Sequence, residues 1–337
     1  MSLFPTVGRK QFKMRLSWLL LGIFLWFGVF MHLVPFYIMI STSVKPAAEA
    51  MSIPPSLWPA HPTLAAWKLI LHITDIAKSV LAQPLSRYFL NSTLMTLGTM
   101  LLSIPVTSLA AYACSKLIKG KSAKSLFLFF IGTLMLPGIV SLIPSFLLTR
   151  NFPFPLPVAP NIPGTDIPFP TLRIWNTYWA VILPAGFSAS NFLLFKGFFD
   201  GIPDSIINAA RVDGGSEMNI FRRIILPMSI PVYAVVSYFQ FGACWDSYLW
   251  PLVVIQDSKI APLTLAIRRI SDAFGSAGTT NPLTAFGASS QMADLINQGL
   301  SWNGLMVLGL LQAIPVFIFF IVAREYLLKG VKIQGLK

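Results

Sequence analysis

Six stretches of the chain stay apolar long enough to cross a bilayer as helix, which takes about 20 residues. They cover approximately residues 17–41, 88–115, 125–148, 174–195, 231–255 and 304–323. The intervening segments are of two kinds. Those on one side are mostly short and rich in Lys and Arg. Those on the other, 42–86, 150–173 and 256–303, are longer. The first of these mixes Trp58, Trp67, Leu69, Ile70 and Leu71 with prolines and reads as an interfacial helix beside an extended piece. The second holds seven prolines and reads as a semi-rigid extended excursion. The third contains Gly275, Gly278 and Gly287 among apolar pieces able to form short helices. Long loops on one face usually carry recognition, although a folded cap without a partner has the same pattern.

Composition strengthens the membrane reading. Only 11% of the 337 residues are charged and 55% are hydrophobic, against about a quarter charged in a soluble domain. The net charge of +13 would suit nucleic acid only if the cations formed one solvated face. They sit instead at the ends of apolar runs, so no nucleic-acid partner is expected. Sixteen of the 25 Lys and Arg fall in the short segments and nine in the long ones. The denser side is the cytoplasmic one. The expected fold is therefore all-α, with six transmembrane helices and both termini inside. The first run is longer than the roughly 7–15 residues of a signal-peptide core, which makes it an uncleaved anchor.

Candidate chemistry is sparse. "SKLIKGKS", residues 115–122, ends like a phosphate-binding loop, but Ser115 stands where that loop needs glycine and an apolar span precedes it. Its lysines read as orienting charges. His32, His61 and His72 lack partners at ligand spacing, so no metal is expected. Cys114 and Cys244 lie in apolar runs and read as packing residues. With no catalytic constellation the chain is not expected to be an enzyme, and any energy source must lie on another chain. Asn91, Asn191, Gln240 and Asp246 are candidates to line a translocation pathway. Ser92, Asn176 and Gln312 are candidates too, and each of these polar groups could serve equally as glue between helices. A carboxylate near a span is a functional hypothesis by default, unless Asp246 lies near the outer interface.

One cytoplasmic segment breaks the pattern. "INAARVDGGSEMNIFRRIILP", residues 207–227, gathers charge in a chain that otherwise avoids it. Pro203 and Asp204 suit the start of a helix, which runs to about Val212 and stops at Gly214-Gly215, where positive φ is cheap. Ser216 then caps a second helix with Glu217 in its first turn. Met218, Phe221 and Ile225 share one face, Arg222 and Arg223 stay nearer water, and Pro227 ends the helix. The product is a compact helical knob, with Ala209 and Ala210 leaving part of its surface shallow enough for another backbone to approach.

This segment resembles a known family. Ala209, Ala210, Gly214, Ile224, Leu226 and Pro227 reproduce the E-A-A, three residues, G, nine residues, I-x-L-P signature of membrane subunits of bacterial and archaeal ABC importers. "WDSYLWPLVVI", residues 245–255, looks like the sugar-importer branch, and the tail "GVKIQGLK" and the six-span layout are similar to the shorter permease of maltose-type carbohydrate importers. Asn208 stands where the family usually has Glu, exchanging a carboxylate for an amide that can still hydrogen-bond. The resemblance implies a type I importer permease fold with cytoplasmic coupling helices, in the inner membrane of a prokaryote. Its divisions would be a cytoplasmic N-terminus (1–16), a first helix and outer linker (17–86), a permease core (87–327) containing the coupling segment 203–227, and a cytoplasmic tail (328–337). It implies docking to an ATPase pair through Asn208, Ala209, Ala210, Asp213, Gly214, Met218, Phe221 and Pro227. ATP and Mg would be held by that partner, with no cofactor on this chain. A second permease would complete the pore, and an external binding protein would deliver sugar to the outer loops, chiefly 256–303. The alternative is an ion-coupled secondary transporter or channel subunit, which typically has intramembrane charges and broken, repeated helices. Only Asp246 offers such a charge.

Overall fold

The computed structural model describes residues 12–71, 83–153, 170–275 and 299–334. The proline-rich excursion including Pro160, the glycines Gly278 and Gly287, His72 and the end of the tail lie outside the described residues. Those described are helical, apart from connecting turns and one isolated antiparallel bridge between Phe152 and Leu172. That bridge closes the base of the excursion through Phe152 N to Leu172 O at 3.1 Å and Leu172 N to Phe152 O at 2.9 Å.

Among the described residues, three helices are long and apolar enough to cross a bilayer alone: Met14–Ser43, Leu85–Leu117 and Trp302–Leu327. Each contains one proline, Pro35, Pro105 or Pro315, which membrane helices tolerate because neighbouring groups satisfy the freed carbonyl. The other three apolar runs are not the continuous helices that hydropathy suggests. Residues 125–148 fall on two helices, Gly120–Leu134 and Gly138–Arg150, which meet at 99°. Pro137 lies at the corner, lacking the N–H that a continuing helix would use. Residues 174–195 form Tyr178–Ile182 and then Ala189–Asp200, separated by turns holding Pro184 and Gly186. Residues 231–255 form Ile230–Trp245 and Leu249–Val254, with Asp246 capping the first. A further bend of 80° separates Ile230–Trp245 from the preceding Glu217–Met228.

The chain divides into two units, residues 1–73 with 271–311, and residues 74–270 with 312–337. In the first, the 42–86 linker forms a helix over Ala65–Leu71, with Ala66 and Ile70 buried. A buried polar knot ties this unit together. Asn303 Nδ2 donates to Lys45 O at 3.0 Å and Gly299 O at 3.1 Å, and Ser301 Oγ donates to Ala47 O at 3.0 Å. The second unit is built on Leu85–Tyr112, which packs against Ala189–Asp200 and Ile230–Trp245. Its core joins Phe192, Phe195 and Phe199 to Tyr112, Ile207 and Phe221. Apolar burial thus binds the 207–227 segment to the spans.

Candidate functional site

The first knob helix is Asp204–Val212, N-capped by Pro203, and it ends where the sequence places the turn. Gly214 adopts φ +81°, with open space around the position a Cβ would take. Its neighbour is glycine for a different reason. A Cβ on Gly215 would lie 2.8 Å from Ala210 O, the carbonyl that accepts a bond from Gly215 N at 2.9 Å. Ser216 Oγ accepts from Asn219 N at 3.4 Å and caps the second helix, Glu217–Met228.

That second helix differs from expectation in phase. It widens into a π turn over Phe221–Ile225, so a five-residue repeat brings Ile220 and Ile225 to the same buried face. Phe221 joins them, its ring 5.2 Å from that of Tyr112, whereas Met218 is 54% exposed. Phe221 therefore packs the knob against its own chain. Pro227 does not end the helix either. The helix runs on to Met228 and bends at Ser229. Asn208, Ala209, Asp213, Gly214 and Pro227 are exposed, and Ala210 is half-buried against the core. Val212, 88% exposed, is an apolar member of the outward surface that the sequence reading passed over.

A polar network fixes the knob to the end of the Leu85–Tyr112 helix. Tyr112 OH donates to Glu217 Oε2 at 2.7 Å, and Arg211 Nε donates to Glu217 Oε1 at 2.6 Å. Arg211 also reaches Asn208 Oδ1 at 3.1 Å and Lys116 O at 3.4 Å. The bond from Arg211 holds the Glu217 carboxyl below its ordinary range, and the same bond raises Arg211. Lys116, expected only to orient the chain, is buried. It donates to Ile202 O and to Asp204 Oδ1, both at 2.7 Å. That contact lowers the Asp204 carboxyl. Nothing local signals these pairings, since Tyr112 and Glu217 are 105 residues apart.

The four polar candidates within the spans separate. Asn91 is fully buried and bonded to backbone and ring partners. It donates to Lys259 O at 3.0 Å and Ala261 O at 2.8 Å, and accepts from Tyr178 OH at 2.7 Å. Asp246 is exposed at its helix end and accepts from Gln312 Nε2 at 3.0 Å. Asn191 and Gln240 come together, Asn191 Nδ2 donating to Gln240 Oε1 at 2.6 Å. Gln240 Nε2 donates in turn to Cys244 Sγ at 3.3 Å. Gln240 and Cys244 border a cavity of about 530 Å³, with Thr99, Ser141, Ser145 and Ser247 also on its wall. Cys114 packs in the core as expected, but Cys244 is half-buried on this cavity.

The family described as "Binding-protein-dependent transport system inner membrane component" matches residues 86–333. The polygalacturonan/rhamnogalacturonan transport system permease protein YtcP of Bacillus subtilis is 26% identical over 327 residues, covering 96% of this chain and 99% of that one. The arabinooligosaccharides transport system permease protein AraQ of Halalkalibacterium halodurans is 26% identical over 322 residues, covering 96% and 97%. The sn-glycerol-3-phosphate transport system permease protein UgpE of Yersinia pestis is 26% identical over 303 residues, covering 90% and 92%. Among solved structures, a bacterial ABC transporter involved in the import of the acidic polysaccharide alginate shares the fold. It has a TM-score of 0.71 and 18% identity, over 94% of this chain and 98% of that one.

Proposed function

The chain belongs to the family of binding-protein-dependent transport inner-membrane components, and from that premise we propose the following division of labour. The protein is a multi-pass permease subunit of an ATP-driven importer. It forms half of a translocation pathway for a sugar or oligosaccharide, and the other half comes from a second permease. An external binding protein delivers the substrate. ATP and Mg are bound and hydrolysed on a partner ATPase pair, which grips the knob through Asn208, Ala209, Val212, Asp213 and Met218. The knob carries this reading. It is a polar-and-apolar clasp, bonded at Tyr112 and Lys116 to the long helix that borders the cavity. ATP-driven closure would move it as a body and tilt the attached helices. The ion-coupled alternative finds no support in the family match.

The test is purification from native membranes in mild detergent. An ATPase should accompany the chain, and its hydrolysis should rise when saccharide-loaded binding protein is added. A chain that purifies intact without an ATPase, or with one indifferent to binding protein, overturns the proposal.

A further inference from the structure

The relatives named above handle neutral and anionic cargo alike, so family membership leaves the charge of the substrate open. The cavity beside Gln240 speaks to that question. Its volume of about 530 Å³ falls within the range of ligand sites, about 300–1,000 Å³. Among the described residues on its wall there is no Asp, Glu, Lys, Arg or His. Its polar groups are the hydroxyls of Thr99, Ser141, Ser145, Ser188 and Ser247 and the amide of Gln240. These groups donate and accept without carrying charge.

Each hydroxyl of a saccharide is likewise both donor and acceptor, so this set can satisfy it in several orientations. The Gln240 carbonyl is engaged by Asn191, and one amide hydrogen is directed at the Cys244 sulphur. An amide nitrogen has two hydrogens, which leaves one for a ligand. Trp250 lines another part of the wall, its indole N–H anchored to Ala180 O at 3.0 Å. A fixed aromatic ring suits the apolar C–H face of a sugar. A carboxylate or phosphate in the same space would lose its water and find no cation among the described residues of this chain in exchange, and burying an unpaired charge is strongly unfavourable.

We infer that this cavity is a passage site for a neutral, polyhydroxylated saccharide and discriminates against uronates and phosphate esters. The inference rests on the importer reading and deepens it. Lys116 and Arg211, the cations of the knob network, are engaged with Asp204 and Glu217 and do not line the cavity.

The chain supplies its own reporter. It has two cysteines, and Cys114 is buried in the core, so Cys114→Ala leaves Cys244 as a single thiol on the cavity wall. The complete importer, in liposomes with its binding protein, would be treated with methyl methanethiosulfonate, a small uncharged reagent. Two probe sets would be compared: neutral oligosaccharides from digested arabinan, xylan and starch, and an anionic set of pectin and alginate oligosaccharides with sn-glycerol 3-phosphate. The neutral set should stimulate ATP hydrolysis and slow modification of Cys244 by about tenfold when present at about ten times Kd. The anionic set should do neither. Ser247→Cys in a background lacking both native cysteines provides a second reporter if Cys244 itself resists the reagent. Protection by the anionic set overturns the inference. Stimulation of hydrolysis without protection at either reporter also overturns it, while leaving the importer reading in place. Failure of both sets to stimulate hydrolysis overturns the importer reading instead.

Discussion

Removing one oxygen atom from Tyr112 isolates the link between span and knob. In Tyr112→Phe the ring still packs 5.2 Å from Phe221, and only the 2.7 Å bond to Glu217 is lost. A hydrogen bond to a charged group contributes about 1.5–3 kcal/mol. The Glu217 side chain is 42% exposed, so water replaces part of that bond and the net loss should be about 1 kcal/mol. Such a loss shifts the balance between a held and a released knob about fivefold. Membrane abundance and ATPase copurification should be unchanged, because the outward surface of the knob is untouched. Saccharide transported per ATP hydrolysed should fall, by at most about the same factor of five. The assay is uptake and phosphate release measured together in liposomes. Tyr178→Phe, which removes a similar 2.7 Å bond to Asn91 away from the knob, is the control and should leave the ratio alone. An unchanged ratio in both Tyr112→Phe and Glu217→Gln would refute the mechanical role of the network.

The same network sets a pH expectation. The Glu217 carboxyl lies below its ordinary 4.5 because Arg211 binds its charged form. Its contribution is therefore fully present above that ordinary value and is lost only as pH falls through the lower folded value, so coupling should be flat across the neutral range. Ala209→Asp and Val212→Asp act on exposed positions and should cost the fold no more than about 0.5 kcal/mol, yet abolish ATPase copurification; retention of the ATPase by both would remove the docking surface from this face. Gly214→Ala places a Cβ in open space at positive φ and should destabilise by about 1–2 kcal/mol, whereas Gly215→Ala drives a methyl against Ala210 O and should lower thermal stability further. Cysteines at the exposed positions Lys121 and Ser216, in a chain without Cys114 and Cys244, should react only with reagent on the cytoplasmic side, and labelling of Ser216→Cys from outside would invert the topology.

The start of the knob and the turn between its helices were legible because their determinants are local. A proline at the helix start, a glycine at positive φ, and a Ser216 side chain capping three residues ahead all act within one or two turns of chain. The apolar runs were legible for a similar reason, since lipid contact depends on average composition over about 20 residues. That same averaging hides breaks. A hydropathy window cannot show that the chain turns by 99° at Pro137, or that Pro184 and Gly186 interrupt the fourth run. Nor does helical periodicity foresee the π turn at Phe221–Ile225, which turned Met218 outward and Ile220 inward.

Sequence alone therefore determined which segments prefer lipid and where one short helix stops and the next begins. Tertiary structure decided which polar atoms meet. Asn91 is satisfied by a carbonyl 170 residues away, and so it became a tie between segments. Gln240 is met by Asn191 from 49 residues away, and the bend at Pro137 brings Ser141 and Ser145 to the same cavity. Lys116 passed from topological marker to buried anchor because Asp204 reached it. A buried polar group is costly until a partner satisfies it, and in these cases the partner is brought by the fold from far along the chain.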